Sequence, residues 1–418
     1  MDVASINTRL GRVASADSRE LDRVCEEVAA ELIDADVEPP FRVPSADFVT
    51  DPWLICADRY WRRRLLHQPT VEVAACCARW LHDHTDPPVR PSARPDIIEK
   101  WSLGYAFITK DTVESRHDLT LATGRIVETF QGSTDICYFA TLYHAGKLRA
   151  NFWFDELHQF LESSLLAVAA GQHRDDPLFT GLRAFAAFGS RTITTSHALE
   201  LLGTAWSAAP RPRAVVDVCL NALWAAPPFP GQGEQLRRHS AEAVAEYPDD
   251  HLFRFRLASG QRMCGDYTDA LATIDTALRL LPAIGARISH ELLQGQYLRE
   301  RATILEGLDR AAWSSDQQTR WRDQDTANRD LRRTLQTSAI RAVELVTVFT
   351  AAIAFAVGSL QITLTGTLPL RDRALLLVLL GAGLLLFALL TVAGAWIITG
   401  RHHSDPRTTP PDPGGTQR

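Results

Sequence analysis

The sequence predicts an all-α protein in which helical hairpins and a short helical array precede a two-helix transmembrane hairpin. Three observations carry this. Two long runs near the C-terminus, Leu345 to Leu364 and Ala374 to Ile398, contain no charged residue. Upstream, apolar residues recur three to four apart, the period of an amphipathic helix. In the middle third, small and turn residues repeat at a 34-residue interval, a length suited to one pair of helices.

From the N-terminus, Glu20 to Asp34, Pro52 to His67 and Thr70 to His84 read as helices. Gln68-Pro69 separates the last two, because proline cannot continue a helix. Val37 to Ser45 and Asp86 to Pro95 are proline-rich extended connectors, and residues 1–95 are taken as an N-terminal helical region. Within 96–178, Asp111-Thr112-Val113-Glu114 offers a capping box, Leu119, Ala122, Ile126 and Phe130 form one helical stripe, and Gly132 is its stop. Ile136 to Phe154 fits two patterns. Aromatic and β-rich residues flank His144-Ala145-Gly146 as in a β-hairpin, whereas Ile136, Phe139, Ala140 and Tyr143 keep a helical period after Asp135; helix is preferred. Trp153 to Ala170 reads as one further helix.

The array occupies residues 179–308. In His251 to Pro282, Gly265-Asp266-Tyr267 marks a turn between two helices, Ala270 and Ala277 supply small residues on the second, and Pro282 closes the unit. Gly231, Ala243 and Pro248 stand 34 residues earlier, and Ala198, Ala205 and Pro210 repeat the internal spacing once more, displaced by 38. This pattern resembles the tetratricopeptide repeat, with Arg254 where the family favours a large apolar residue. The resemblance implies a solenoid whose first helices line a groove for a peptide or partner helix, and assigns Arg183, Ser190, Phe255, Ser259 and Arg262 to that groove. An arginine-bearing groove would suit an acidic segment.

Residues 309–344 are highly charged, with Trp313, Trp321, Leu331 and Leu335 as the large apolar residues, and are expected to form a linker helix. The spans, 345–398, follow. Twenty helical residues cover about 30 Å, the thickness of a bilayer core. Thr350, Ala354 and Gly358 recur every four residues, widened by Thr347 and Ala351, on a face suited to close packing within the hairpin or between copies, and Gln361 is the strong polar side chain of that span. Residues 399–418 are expected to be disordered. The first thirty residues show no secretory signal, and six arginines flank the spans on the terminal side (Arg329, Arg332, Arg333, Arg341, Arg401, Arg407) against Arg371 and Arg373 in the connector. Both termini are therefore expected in the cytoplasm, on a multi-pass protein of an inner membrane.

Seven cysteines without a CxxC pair fit buried thiols in a reduced compartment, and a basic content that is almost all arginine, with Lys100, Lys110 and Lys147 as the lysines, suggests a bacterial genome rich in GC. A net charge of −6 argues against a nucleic-acid surface. Motifs for phosphate binding, serine hydrolysis and zinc are missing, so no cofactor or metal is expected. Arg62 and His67 have a spacing similar to that of HEPN-type ribonucleases, although a basic helix end explains them as well. Cys137 with His144, and His82 with His84, read as a buried thiol beside a surface histidine and as a polar helix end. The expected function is that of a membrane-anchored interaction protein that binds a protein partner in the cytoplasm and, seated in the lipid bilayer, localises it to or acts on the inner membrane; homo-oligomerisation through the spans and membrane action in a defence system are the sharper options. A membrane-tethered nuclease and a scaffold of envelope machinery are the alternatives.

Overall fold

In a computed structural model describing residues 3–14, 18–85, 93–130, 133–209, 211–281, 287–365 and 369–400, every extended element is a helix. The β contact present is an isolated parallel bridge between Val43 and Thr85. Met1–Ala312 and Trp313–Arg418 form two compact units.

The first unit begins with α1 (Val3–Val13), α2 (Ser18–Asp34), α3 (Pro52–His67) and α4 (Val71–His84). Asp51 caps α3 by accepting from the Trp53 and Leu54 amides, with Pro52 in the first turn where its missing N–H costs nothing; Thr70 caps α4 through the Val73 amide. The connector Val37 to Ser45 is more than a spacer. Phe41 and Val43 are buried, and Trp80 Nε1 donates to Pro39 O at 2.8 Å, so the proline-rich segment closes the core over α4. The second connector falls mostly outside the described residues.

Next come α5 (Ala93–Ile108), α6 (Arg116–Thr129), α7 (Thr134–Ala150), α8 (Phe154–Ser163) and α9 (Leu165–Ala169), then a 3₁₀ turn at Gly171–Asp175. α7 packs against α4, α5, α8 and α9, and every residue from Ile136 to Leu148 is buried. Burial on all sides removes the polar stripe by which a helix is recognised, which is why this segment was ambiguous in sequence. The β-hairpin alternative is not formed: Gly146 lies mid-helix, where a Cβ would stand 2.6 Å from Ala106 Cβ on α5.

Two boundaries differ from expectation. The helix expected after Asp111 begins at Arg116, capped by Ser115, because Glu114 is drawn into the core by Lys147. Trp153 to Ala170 breaks at Ser164, whose hydroxyl accepts from the Ala167 amide and so starts α9 afresh. The expected stop at Gly132 lies outside the described residues.

The middle third forms three helix pairs: α10 (Pro177–Gly189) with α11 (Thr195–Trp206), α12 (Arg213–Ala225) with α13 (Gln232–Glu246), and α14 (His251–Cys264) with α15 (Tyr267–Leu280). The repeated small residues Ala198, Ala205, Ala243, Ala270 and Ala277 are all buried. Gly231 and Gly265 adopt φ of 79° and 86°, a left-handed conformation that favours glycine. At Gly260 the backbones of α14 and α13 meet, and a Cβ would lie 2.6 Å from Arg237 N. Pro210 and Pro282 lie outside the described residues. One apolar core runs from Ile6 to Phe253, across the expected divisions at 95 and 178, and a second cluster joins α14 and α15 to Tyr297 and Ile304 of α16 (Arg287–Thr365).

In the second unit α16 continues without interruption through the charged linker into the first apolar run, and α17 (Leu370–Gly400) follows. Among the described residues, α16 is long and apolar enough to cross a membrane, while the apolar segment found in α17, Ala374–Phe387, is shorter. Of the expected tail, 399–418, Thr399 and Gly400 belong to α17, and 401–418 lie outside the described residues.

Candidate functional site

The groove residues implied by the repeat resemblance are occupied by the chain itself. Phe255, Ser259 and Arg262 share one face of α14, as their spacing requires, but α16 covers that face. Phe255 is 1% exposed and stacks on Tyr297 with ring centroids 4.7 Å apart, Arg262 Nε donates to Glu300 at 2.7 Å, and Ser259 is fully buried. Burying two aromatic rings against each other outweighs leaving a groove open to water. On α10, Arg183 makes two hydrogen bonds to the Glu162 carboxylate of α8 at 2.5 and 2.6 Å, and Ser190 donates to Asp155 at 2.7 Å.

Arg62 and His67 do not converge. Five residues along α3 rotate them about 140° apart, leaving Arg62 half-buried and His67 exposed at the helix end. The neighbouring arginines serve helix packing: Arg63 pairs with Glu26, and Arg64 donates to Asp36 at 2.9 Å. Cys137 and His144 stand two turns apart on α7, and burial pushes the Cys137 thiol up. His84 stacks on Trp80, 4.9 Å between centroids, with Nδ1 2.9 Å from Trp80 O. Among the described residues no group of three or more His, Cys, Asp or Glu side chains is placed to hold a metal ion. On α16, Thr350 donates back to Val346 O at 2.7 Å, and around Gly358 there is open space, so the small-residue face that also bears Ala354 is uncovered there. Gln361 is exposed near the end of that helix.

A cavity of about 470 Å³ opens between α6 and α8, floored by α7. Arg116, Thr120 and Thr123 project from one side of α6, Glu156, Gln159 and Ser163 from one side of α8, and His144 and Leu148 rise one turn apart from α7. Arg116 bridges the mouth by donating to Gln159 Oε1 at 2.8 Å.

Beneath lies a buried charge pair. Lys147 is 0% exposed and donates to Pro69 O at 2.7 Å, Thr112 O at 2.8 Å and Glu114 Oε2 at 3.2 Å, which uses all three of its N–H bonds. Glu114 Oε1 accepts from the Val71 amide at 2.7 Å. Burial raises the Glu114 pKa, but His144 and the Lys147 ammonium outweigh it and bring the carboxyl down to about 2; Lys147 is lowered by its own burial despite Glu114. His144 Nδ1 stands 3.4 Å from Glu114 Oε2, a long contact that nonetheless helps to hold the carboxyl down.

This site escapes sequence reasoning because Glu114 reads as a cap and His144 as a surface histidine, whereas Glu114 turns to Lys147 and His144 is 3% exposed. The signal present was a histidine and one of only three lysines inside an apolar run. No family model, curated protein or solved structure matches the chain.

Proposed function

We propose that the protein is a membrane-anchored helical interaction protein of a bacterium. Its tetratricopeptide-like helix pairs stay in the cytoplasm, and α16 and α17 form a two-helix hairpin in the inner membrane with both termini cytoplasmic. The observation that carries this reading is the apolar surface of α16: Leu345, Val346, Phe349, Ile353, Phe355, Val357 and Leu360 are all exposed. Burying each is worth about 1.5–3 kcal/mol, so leaving them in water would cost on the order of 10 kcal/mol, and lipid removes that cost.

With the expected groove positions on α14 covered by α16 and those on α10 paired to α8, the surface we assign to a protein partner is the segment before the span. Trp313 and Trp321 are 65% and 69% exposed there, with exposed Leu331 and Leu335 farther along the same helix, and tryptophan is enriched at interface hot spots. A partner bound at this segment would be held at the membrane or would cluster the spans, as an effector of a defence system requires. Membrane fractionation tests the anchor: the full chain is expected to resist carbonate extraction, and a chain truncated before Val343 to be released. Extraction of the full chain refutes it. Replacing Trp313 and Trp321 by alanine is expected to abolish partner recovery in pull-downs, and forced oligomerisation that leaves membrane potential untouched would refute the effector role.

A further inference from the structure

Ahead of the span, α16 carries a seven-residue repeat on its exposed surface. One series runs through Trp321, Asn328 and Leu335, and a second, three residues on, through Gln324, Leu331 and Ser338. Gaps that alternate between three and four keep both series on one stripe of the helix. The stripe continues through Ala342 to Leu345, where the apolar run begins, and all these positions are exposed. The eight charged residues between 321 and 343 all lie off it. A strict seven-residue period drifts around a straight helix, and supercoiling against another helix holds it to one side.

Lipid does not cover this stripe. α16 runs unbroken into the span, and at 1.5 Å per residue Leu335 stands about 15 Å and Trp321 about 36 Å before Leu345, whereas the headgroup layer on each side of a bilayer is about 5–8 Å deep. A second copy of the chain does cover it. Two copies planted in one membrane bring these helices up parallel and level, so each stripe meets its own likeness. Asn328 then faces Asn328, whose side-chain amide both donates and accepts, and one such polar pair within a seam fixes its register. Arg320 and Asp325 stand on the two flanks of the stripe, five residues apart, the spacing at which they come opposite each other between parallel copies. Within one chain Arg320 pairs with Asp316 and Asp325 with Arg329, exposed pairs that exchange at little cost. An unrelated partner gives no reason for the period of seven or for this charge placement. Confinement to one membrane raises the local concentration of copies, so a short seam suffices.

We infer that residues 321–345 of two copies pair as a parallel coiled coil that joins two hairpins ahead of the membrane. The inference rests on the proposed membrane anchor, which sets the two helices parallel, and it names the protein partner of this segment as the chain itself.

Oxidative cross-linking of the full chain in membranes tests it, with the exposed Cys264 replaced by serine. Leu331→Cys, on the stripe, is expected to give at least about tenfold more disulfide-linked pair than Arg329→Cys, which is turned away from it. The detergent-solubilised chain is expected to have the mass of two copies. Leu331→Glu with Leu335→Glu is expected to weaken pairing at least about tenfold, by setting like charges face to face. Arg320→Asp is expected to weaken it roughly three- to tenfold, and adding Asp325→Arg to restore it. Leu331 and Leu335 are each 57% exposed, so their replacement leaves the single chain folded, and the charge exchange tests the pairing without touching the stripe. A single-copy mass without a Leu331→Cys cross-link, in a chain that resists carbonate extraction, overturns the inference and leaves the anchor standing. A pair that survives both glutamates also overturns it, since the contact then lies in the spans. A chain that carbonate releases refutes the anchor itself, and the inference with it.

Discussion

Replacing Lys147 by methionine removes the cation of the buried pair and keeps most of the side chain's volume. The carbonyls of Pro69 and Thr112 lose their donor, and Glu114 is left with the Val71 amide and a distant His144. Breaking a buried ion pair by deleting one partner costs about 3–5 kcal/mol, because the other charge stays buried without compensation. The Glu114 pKa gives a scale for its whole surroundings, in which the His144 contact counts before Lys147. A carboxyl held at about 2 rather than 4.5 contributes about 3 kcal/mol at neutral pH, at 1.36 kcal/mol per unit. Its folded value is depressed, so this stability is present above pH 4.5 and is lost as pH falls towards 2. Lys147, itself lowered by burial, returns part of that gain, so the pair as a whole is worth less than either deletion implies. Urea unfolding of the detergent-solubilised chain at pH 7, followed by circular dichroism, should therefore show Lys147→Met to be destabilised by about 3–5 kcal/mol. Adding Glu114→Gln to that variant should recover about 2 kcal/mol, and the double variant should lose stability less steeply below pH 4.5 than the native chain. A double variant whose loss equals the sum of the single losses within about 0.5 kcal/mol would refute the coupling.

Three other predictions follow from the packing. Gly260→Ala forces a Cβ to within 2.6 Å of the Arg237 nitrogen, and should lower stability by about 1–3 kcal/mol as α13 and α14 separate; calorimetry measures it. His173 donates from Nε2 to Asp135 at 2.9 Å and from Nδ1 to Asp176 at 2.7 Å, which raise its pKa to about 9 against a smaller effect of burial. Its stabilisation is complete below pH 6.5 and lost as pH rises through 9, so melting temperatures measured from pH 6 to 10 should fall for the native chain and stay flatter for His173→Gln. Replacing Ala354 and Val357 together by arginine in the apolar run of α16 should cost about 2.5–3.5 kcal/mol per residue for insertion at mid-membrane, and the protein should leave the membrane pellet.

Much of the helical framework was legible in local sequence. The bounds of α3 and α4 follow from Asp51-Pro52 and Thr70, and the turns at Gly231 and Gly265 from residues that tolerate a left-handed backbone. Those features depend on a few adjacent residues and the chain's own hydrogen bonds. The candidate cavity was not legible. Glu114, Thr123, His144, Lys147 and Gln159 come from four separate segments, and no local pattern states that Lys147 turns inward to Pro69, 78 residues away. The groove assignment met the same limit. Phe255, Ser259 and Arg262 fall on one face by spacing alone, yet whether that face meets water or Tyr297 and Glu300 depends on where α16 packs.

What the sequence by itself determined is the all-α class, the sites where most helices start and stop, and an apolar segment in α16 long enough to span a bilayer. These are set by backbone propensity and by continuous hydrophobicity, which act within one element. What only the tertiary structure decided is which polar side chains are buried together and which faces stay open, because burial and pairing are properties of contacts between segments far apart in the chain.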